Sequence, residues 1–137
     1  EQFMVINGDI LADLSVSELV EYHKKGEQIA TLVSFKKTIP LDLGILELNK
    51  DNTVGRYIEK PKLKYIISTC IYAFNKEATS YIKKNQYLDL PELVMLLVAR
   101  NQKVKAFNFN GLWFDIGTPS DYEIAIKSFG KNRNLFL

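Results

Sequence analysis

The first third of the sequence places one capped helix between two apolar runs, and this order constrains the fold more than any other feature. Residues 3–6 form an unbroken apolar run, the pattern of a strand covered on both faces as in a parallel sheet. Ser15 and Glu18 form a capping-box pattern before apolar residues at helical spacing, and Gly26 ends that helix. Residues 29–35 form the next strand-like run. The segment therefore predicts a β-α-β unit with a right-handed crossover.

The rest of the chain continues the mixture of strands and helices. A polar cluster at residues 49–52 lies between two strand-like runs, which predicts an antiparallel hairpin. Asp89, with Pro91 and Glu92, predicts the start of a second long helix. We interpret residues 1–137 as one α/β domain. The predicted elements are hairpin strands at 44–48 and 53–58, strands at 66–74 and 103–109, and helices at 75–84, 89–100 and 118–129.

Composition excludes several classes of protein. The 137 residues are 47% hydrophobic, which is enough to bury a core, and 18 basic against 16 acidic side chains leave a net charge of +2. So small a charge, without a basic tail, argues against nucleic acid as a partner. The longest apolar stretches are too short to cross a membrane. One cysteine and the absence of a signal-peptide pattern favour a cytoplasmic protein.

Two aspartates are candidates for chemistry. Asp9 follows the first strand, and ligands of open α/β sheets bind outside the carboxyl ends of the strands. A carboxylate there suits Mg²⁺, and Gly8 would let a ligand approach the backbone. Asp115 lies among apolar residues before a capped helix, where a buried carboxylate needs a partner or a metal. The alternatives are that Asp9 belongs to a simple turn and that Asp115 accepts hydrogen bonds from turn amides.

Glu59 and Lys60 are a third candidate, because an acid accepts sugar hydroxyl hydrogen bonds and a lysine neutralises a phosphate. The alternative is a solvated surface pair. Helical spacing places His23 on a packed helix face, and Cys70 has no nearby cation to activate it. The chain contains neither a Gly-x-Gly-x-x-Gly pattern nor a P-loop.

Five segments, in this order, resemble the sugar-1-phosphate nucleotidyltransferases, and most closely the members that are like mannose-1-phosphate guanylyltransferase. The resemblance extends from about Phe3 to Phe129. The segments are Val5-Ile6-Asn7-Gly8-Asp9, Asp42-Leu43-Gly44-Ile45-Leu46-Glu47-Leu48, Tyr57-Ile58-Glu59-Lys60-Pro61, Ile71-Tyr72-Ala73-Phe74 and Trp113-Phe114-Asp115-Ile116-Gly117-Thr118-Pro119-Ser120-Asp121-Tyr122.

The resemblance implies a Rossmann-like α/β fold with a mixed, mainly parallel sheet flanked by helices. It also implies transfer of a nucleotidyl group from an NTP, with GTP favoured, to a sugar 1-phosphate. Asp9 and Asp115 then match the acids that hold the catalytic Mg²⁺. Glu59 and Lys60 match contacts to the sugar and its phosphate, and Gly44 matches a glycine on which the sugar packs.

The sequence departs from the family in two places. Cys70 replaces a usual glycine, which predicts a narrower or shifted wall on the sugar side. The family's Gly-rich segment, with its activating lysine, should precede Asp9 by many residues. We therefore expect the chain to be the C-terminal part of a nucleotidyltransferase domain and to be inactive alone.

Two other functions are alternatives to this interpretation. The first is a non-catalytic module that binds sugar nucleotides or regulates. The second is a metal-dependent glycosyltransferase, which would favour a closely spaced Asp-x-Asp that the sequence lacks. If residues 3–6 form a central strand in the sheet of the parent domain, truncation exposes an unpaired edge, which predicts homo-oligomerisation or poor solubility.

Overall fold

The computed structural model describes residues 1–136 of the chain. Helices and strands are mixed along it, as the sequence predicts. Its strands are β1 (Gln2–Ile6), β2 (Ile10–Ala12), β3 (Ala30–Pro40), β4 (Ile45–Leu48), β5 (Val54–Ile58), β6 (Lys62–Asn75), β7 (Val104–Phe109) and β8 (Trp113–Asp115); its α-helices are α1 (Val16–Lys25), α2 (Leu90–Ala99) and α3 (Pro119–Phe136), and a 3₁₀ helix covers Lys76–Tyr81.

The main sheet has four strands in the order β1-β6-β3-β7. β3 and β7 are parallel, whereas β1 and β6 are antiparallel. The predicted α/β class with a mixed sheet flanked by helices is confirmed. The strands of the predicted β-α-β unit, β1 and β3, are not neighbours, because β6 lies between them.

Side chains that alternate along β6 build a core on each face of the sheet. Tyr72 and Phe74 pack with Leu93 and Leu97 of α2. Ile71 and Ala73, which point to the other face, pack with a cluster that includes Leu19 of α1. The main sheet therefore lies between α1 and α2. A substitution in either core affects β6, the strand that pairs with β1.

The chain divides into two compact units. The first comprises Glu1–Phe35 and the chain from Ser68 onward, and the second comprises Lys36–Ile67. Within the second unit β4 and β5 form the predicted antiparallel hairpin. The interpretation of residues 1–137 as a single domain stays a prediction.

Local capping signals are confirmed by the structure. The Ser15 side chain accepts a hydrogen bond from the Glu18 backbone N–H at 3.3 Å. At α2, the Asp89 side chain accepts from the Glu92 N–H at 2.7 Å, and the Glu92 side chain accepts from the Asp89 N–H at 3.1 Å. Elsewhere the predicted bounds change: the helix at 75–84 is a shorter 3₁₀ helix, and α3 continues beyond Gly130.

The prediction that the first strand is covered on both faces is wrong. β1 is an edge strand of the main sheet, and Phe3 and Ile6 are 37% and 47% exposed. The predicted homo-oligomerisation through this edge stays a prediction. Among residues 1–136, no helix is long and apolar enough to cross a membrane.

His23 belongs to a buried polar network, as its predicted place on a packed helix face requires. It is 1% exposed. Its Nδ1 is 2.8 Å from Thr31 Oγ1, and its Nε2 is 3.1 Å from Asn75 Oδ1. Burial lowers the pKa of His23, and the hydrogen bond to Asn75 partly opposes that shift. His23 is therefore a structural residue, and its lowered pKa favours the neutral imidazole in the folded chain.

This network makes stability depend on pH. The folded pKa of His23 is below the unfolded value, so between the two values the unfolded chain binds more protons. The free energy of unfolding is expected to be fully maintained above the unfolded pKa of about 6.5 and to fall below it, by at most about 1.4 kcal/mol per pH unit from this group. Urea titrations between pH 8 and pH 5 measure the slope. In a His23→Gln variant the contribution of His23 to the slope is expected to disappear. An unchanged slope would show that other groups cause the pH dependence.

Candidate active site

Asp9 lies in a tight connection between two anchored strands. The turn at residues 7–9 joins β1, which pairs with β6, to β2, which pairs with β8. The Asn7 N–H donates to the Cys70 carbonyl at 3.2 Å, so β6 also fixes the start of the turn. The sequence places Asp9 beyond the end of the first strand, and the structure confirms that position.

The β2–β8 ribbon brings Asp9 beside Asp115. Ile10 pairs with Asp115 in the antiparallel register. The Ile116 N–H donates to the Asp9 carbonyl at 2.8 Å and extends the pairing by one residue. Two acids that are far apart in sequence thus have adjacent backbones.

The two carboxylates converge on Gly117. The Gly117 N–H donates to Asp115 Oδ1 at 3.2 Å. A Cβ built on Gly117 would lie 3.2 Å from that oxygen and 3.7 Å from Asp9 Oδ2. Carboxylate oxygens of both aspartates therefore lie around one small space, which is open because residue 117 has no side chain.

Asp115 differs from its prediction in one respect. The sequence places it in an apolar, buried setting, but both Asp115 and Asp9 are exposed. The prediction of burial is wrong because the neighbours Trp113 and Phe114 are themselves only half-buried. The alternative, a hydrogen bond from a turn amide, does occur, and it uses one of the two Asp115 oxygens.

The donor set of this site fits a hard cation such as Mg²⁺. Mg²⁺ in proteins is held by one or two carboxylates, and waters and substrate phosphates complete its shell. Asp9 and Asp115 supply two carboxylates that solvent and a phosphate group can reach. No group of three or more His, Cys, Asp or Glu able to hold a metal occurs within residues 1–136.

Asp13, which the sequence analysis does not identify as a site residue, holds β8 in place. Its Oδ1 accepts the Leu112 N–H at 2.8 Å, and its own N–H donates to the Leu112 carbonyl at 3.2 Å. The indole Nε1–H of Trp113 donates to the Thr69 carbonyl of β6 at 3.3 Å. These bonds position the strand that carries Asp115.

The other predicted site residues, Gly44, Glu59 and Lys60, lie in the second unit. Glu59 Oε2 accepts a hydrogen bond from the Tyr57 hydroxyl at 2.7 Å, which raises the pKa of Tyr57. The Tyr57 ring also covers Gly44, since a Cβ there would lie 2.5 Å from the ring carbon Cζ. Lys60 is exposed and has a φ of 43° in the turn before β6.

The predicted residues thus form two groups. Gly8 and Asp9 lie with Asp115, and Gly8 is exposed with open space above its α-carbon. Gly44 and Glu59 meet through Tyr57, a residue that the sequence analysis does not identify as a site residue. The available signal is the spacing of two between Tyr57 in β5 and Glu59 just after its end, which places both side chains on one side of the extended chain.

Cys70 occupies a backbone conformation that favours glycine. Its φ is 60°, in the left-handed region that costs a residue with a Cβ about 1 kcal/mol or more. It is half-buried and packs against the core cluster on the α2 side. Cys70, where the resemblance expects a glycine, therefore strains the backbone at the residue whose carbonyl accepts the Asn7 N–H.

We expect Cys70→Gly to be more stable than Cys70→Ala by about 1 kcal/mol, the reverse of the usual order in a strand. Neither variant has the thiol, so the comparison isolates the backbone strain. Urea denaturation of both variants measures the difference. A more stable alanine variant would show that the backbone at residue 70 does not require φ above zero.

The chain is similar to known proteins over nearly its whole length. A family model for nucleotidyl transferases matches residues 1–132. The catalytic subunit beta of mannose-1-phosphate guanylyltransferase from Drosophila pseudoobscura pseudoobscura is 29% identical over 124 residues, which cover 89% of this chain and 33% of that protein. The UTP–glucose-1-phosphate uridylyltransferase of Synechocystis is 32% identical over 136 residues, which cover 93% of this chain and 34% of that protein.

A solved structure shows the same fold. A Bacillus anthracis protein described as a glucose-1-phosphate thymidylyltransferase superposes with a TM-score of 0.68 at 20% identity, over 93% of this chain and 54% of that one. The chain spans about a third of the length of the curated relatives it matches. Because the family model covers nearly all of its residues, the chain belongs to the nucleotidyl transferase family.

Proposed function

We propose that the protein containing this chain transfers a nucleotidyl group from an NTP, with GTP favoured, to a sugar 1-phosphate. The observation that carries the proposal is the convergence of the Asp9 and Asp115 carboxylates beside Gly117. Relatives named as mannose-1-phosphate guanylyltransferases and as a glucose-1-phosphate uridylyltransferase support the substrate class, and the former favour GTP and mannose 1-phosphate.

The reaction needs positioning and charge stabilisation more than a protein nucleophile. An oxygen of the sugar phosphate forms a bond to the α-phosphorus of the NTP, the bond from that phosphorus to the bridging oxygen breaks, and pyrophosphate leaves. Holding two anionic reactants in line supplies much of the rate. His23 is buried and hydrogen-bonded, so this mechanism gives it no chemical step.

In this proposal Asp9 and Asp115 hold Mg²⁺, as their donor set permits. When bound, the ion supplies charge stabilisation to the reacting phosphates. Without a bound cation, the two negative carboxylates at the β2–β8 ribbon repel the anionic phosphates of the reactants. The backbone at Gly8 gives a ligand close access, because nothing lies within 4 Å of the position a Cβ would take.

Glu59, Lys60 and Gly44 are proposed as the sugar-phosphate contacts. Glu59 Oε1 has no hydrogen bond within residues 1–136, so it is available to a sugar hydroxyl while Oε2 accepts from Tyr57. Lys60 provides an exposed ammonium for a phosphate oxygen. The Tyr57 ring lies on Gly44, so a sugar packs against the ring or displaces it. We also propose a cytoplasmic location, which the single cysteine supports.

Product binding tests this proposal on the 137-residue chain. GDP-mannose is titrated with and without Mg²⁺ while backbone amide resonances are followed by NMR, with UDP-glucose as a competitor. We expect shifts at the Ile10, Ile116 and Gly117 amides that require Mg²⁺. Shifts that ignore Mg²⁺, or that avoid this ribbon, would contradict the metal-binding role.

Turnover of the native protein separates an enzyme from a binding module. Purified native protein is supplied with GTP, mannose 1-phosphate and Mg²⁺, and pyrophosphate release is measured. Release that depends on both substrates supports the proposed transfer. GDP-mannose binding without pyrophosphate release would instead support the non-catalytic alternative.

A further inference from the structure

The small net charge of the chain conceals an uneven distribution. The second unit, Lys36–Ile67, contains seven basic and four acidic side chains, whereas the rest of the chain contains eleven basic and twelve acidic ones. Positive charge is therefore concentrated in the second unit. The second unit therefore attracts anions more strongly than the rest of the chain does.

Three lysines of this unit line one cavity. Lys36 and Lys37 of β3 and Lys64 of β6 surround a cavity of about 430 Å³. β3 and β6 are neighbours in the sheet, and in this unit the Leu41 N–H donates to the Pro61 carbonyl at 3.0 Å. The remaining lining residues are Thr38, Tyr65 and Ile66.

Two of these lysines have no carboxylate partner in the part of the chain that the structure describes. Within residues 1–136 neither Lys36 nor Lys64 forms an ion pair with a carboxylate. Among the acids of the unit, Glu47 pairs with Arg56 at 3.6 Å.

We propose that this lysine cavity binds a small molecule through a phosphate or diphosphate group. Lysine is a point-charge binder of phosphate, and a phosphate or diphosphate carries enough negative charge to balance the ammonium groups of Lys36 and Lys64. The Thr38 hydroxyl supplies a hydrogen-bond donor, and the half-exposed Tyr65 ring offers a wall for the rest of the molecule. The volume matches a metabolite, not a polymer.

The site is separate from the proposed sugar-phosphate contacts. Neither Glu59 nor Lys60 lines the cavity, and no residue of the Asp9–Asp115 pair belongs to this unit. Its existence therefore does not depend on the proposed nucleotidyl transfer. Binding here should need no divalent cation, in contrast to binding at the two aspartates.

Titration of the full chain with inorganic pyrophosphate in EDTA tests the proposal. Amide NMR is expected to show shifts at Lys36, Lys37, Thr38, Lys64 and Tyr65. Lys36→Gln and Lys64→Gln are each expected to weaken binding about tenfold, the loss of one charge-assisted contact. Lys64→Arg should keep most of the affinity, because it keeps the charge.

Two control variants make the result decisive. Lys50→Gln removes the same charge from the exposed turn between β4 and β5 and should leave the affinity within about twofold. Lys127→Gln removes a positive charge from the exposed side of α3, in the other unit, and should likewise have little effect. Equal losses in either control variant and in Lys64→Gln, or no binding at millimolar pyrophosphate, would overturn the lysine cavity as a site.

Discussion

Asp115→Asn is expected to lower kcat/KM for nucleotidyl transfer by the native protein about 10³-fold, the loss of several kcal/mol of transition-state stabilisation. The amide can still accept the Gly117 N–H, so the turn should persist while the negative charge is lost. In the 137-residue chain the same change should remove the Mg²⁺-dependent part of GDP-mannose binding. Pyrophosphate release and NMR titration measure the two effects.

Glu123→Gln is the matched control. It converts an exposed carboxylate of α3 to an amide in the same unit without touching the ribbon, and it should leave both measurements unchanged. Asp9→Asn should reproduce the Asp115 result, because its Oδ2 is near the same point. Full activity in either asparagine variant would remove the carboxylate pair from the mechanism.

Phe74→Ala is expected to destabilise the fold by about 3–5 kcal/mol. Phe74 is fully buried in β6, and its ring lies 5.8 Å from that of Tyr72 and 5.5 Å from that of Phe3. Its removal leaves a cavity between the sheet and α2, because Leu93 and Leu97 pack in the same cluster. Urea denaturation followed by circular dichroism gives the free energy of unfolding.

Phe3→Ala is the natural comparison, because Phe3 pairs with Phe74 across β1 and β6. Phe3 is 37% exposed, so its loss should cost only about 1–2 kcal/mol. If the two variants lost equal stability, the edge strand would contribute as much as the core. That outcome would contradict the division between a buried β6 and an exposed β1.

Local signals in the sequence predicted much of the fold. Ser15 and Asp89 start helices because a side-chain oxygen accepts an N–H within the first turn, which a few adjacent residues determine. The turn at residues 49–52 forms the β4–β5 hairpin for the same local reason. The exposure of Phe3 and Ile6 was not predictable. An apolar run indicates that a segment suits burial, but it does not indicate which strands lie beside it.

The candidate site depends on pairings between distant residues, which the sequence does not encode in any spacing. The family resemblance implies that Asp9 and Asp115 hold one ion, but no spacing in the sequence brings them together; the β2–β8 register does. The position of β6 between β1 and β3 is equally non-local. The Tyr57 ring on Gly44 was missed because a glycine in a sequence does not reveal which side chain uses the space above it.

The β2–β8 ribbon has a consequence for how the protein is made. Roughly 100 residues must be translated after Asp9 before Asp115 exists, which takes about 5–20 s at ordinary rates of synthesis. Closing so long a loop is slow, and it comes after the local helices and the hairpin can form. The nascent chain therefore passes through a stage in which it holds much of its secondary structure while the carboxylate pair is still unassembled.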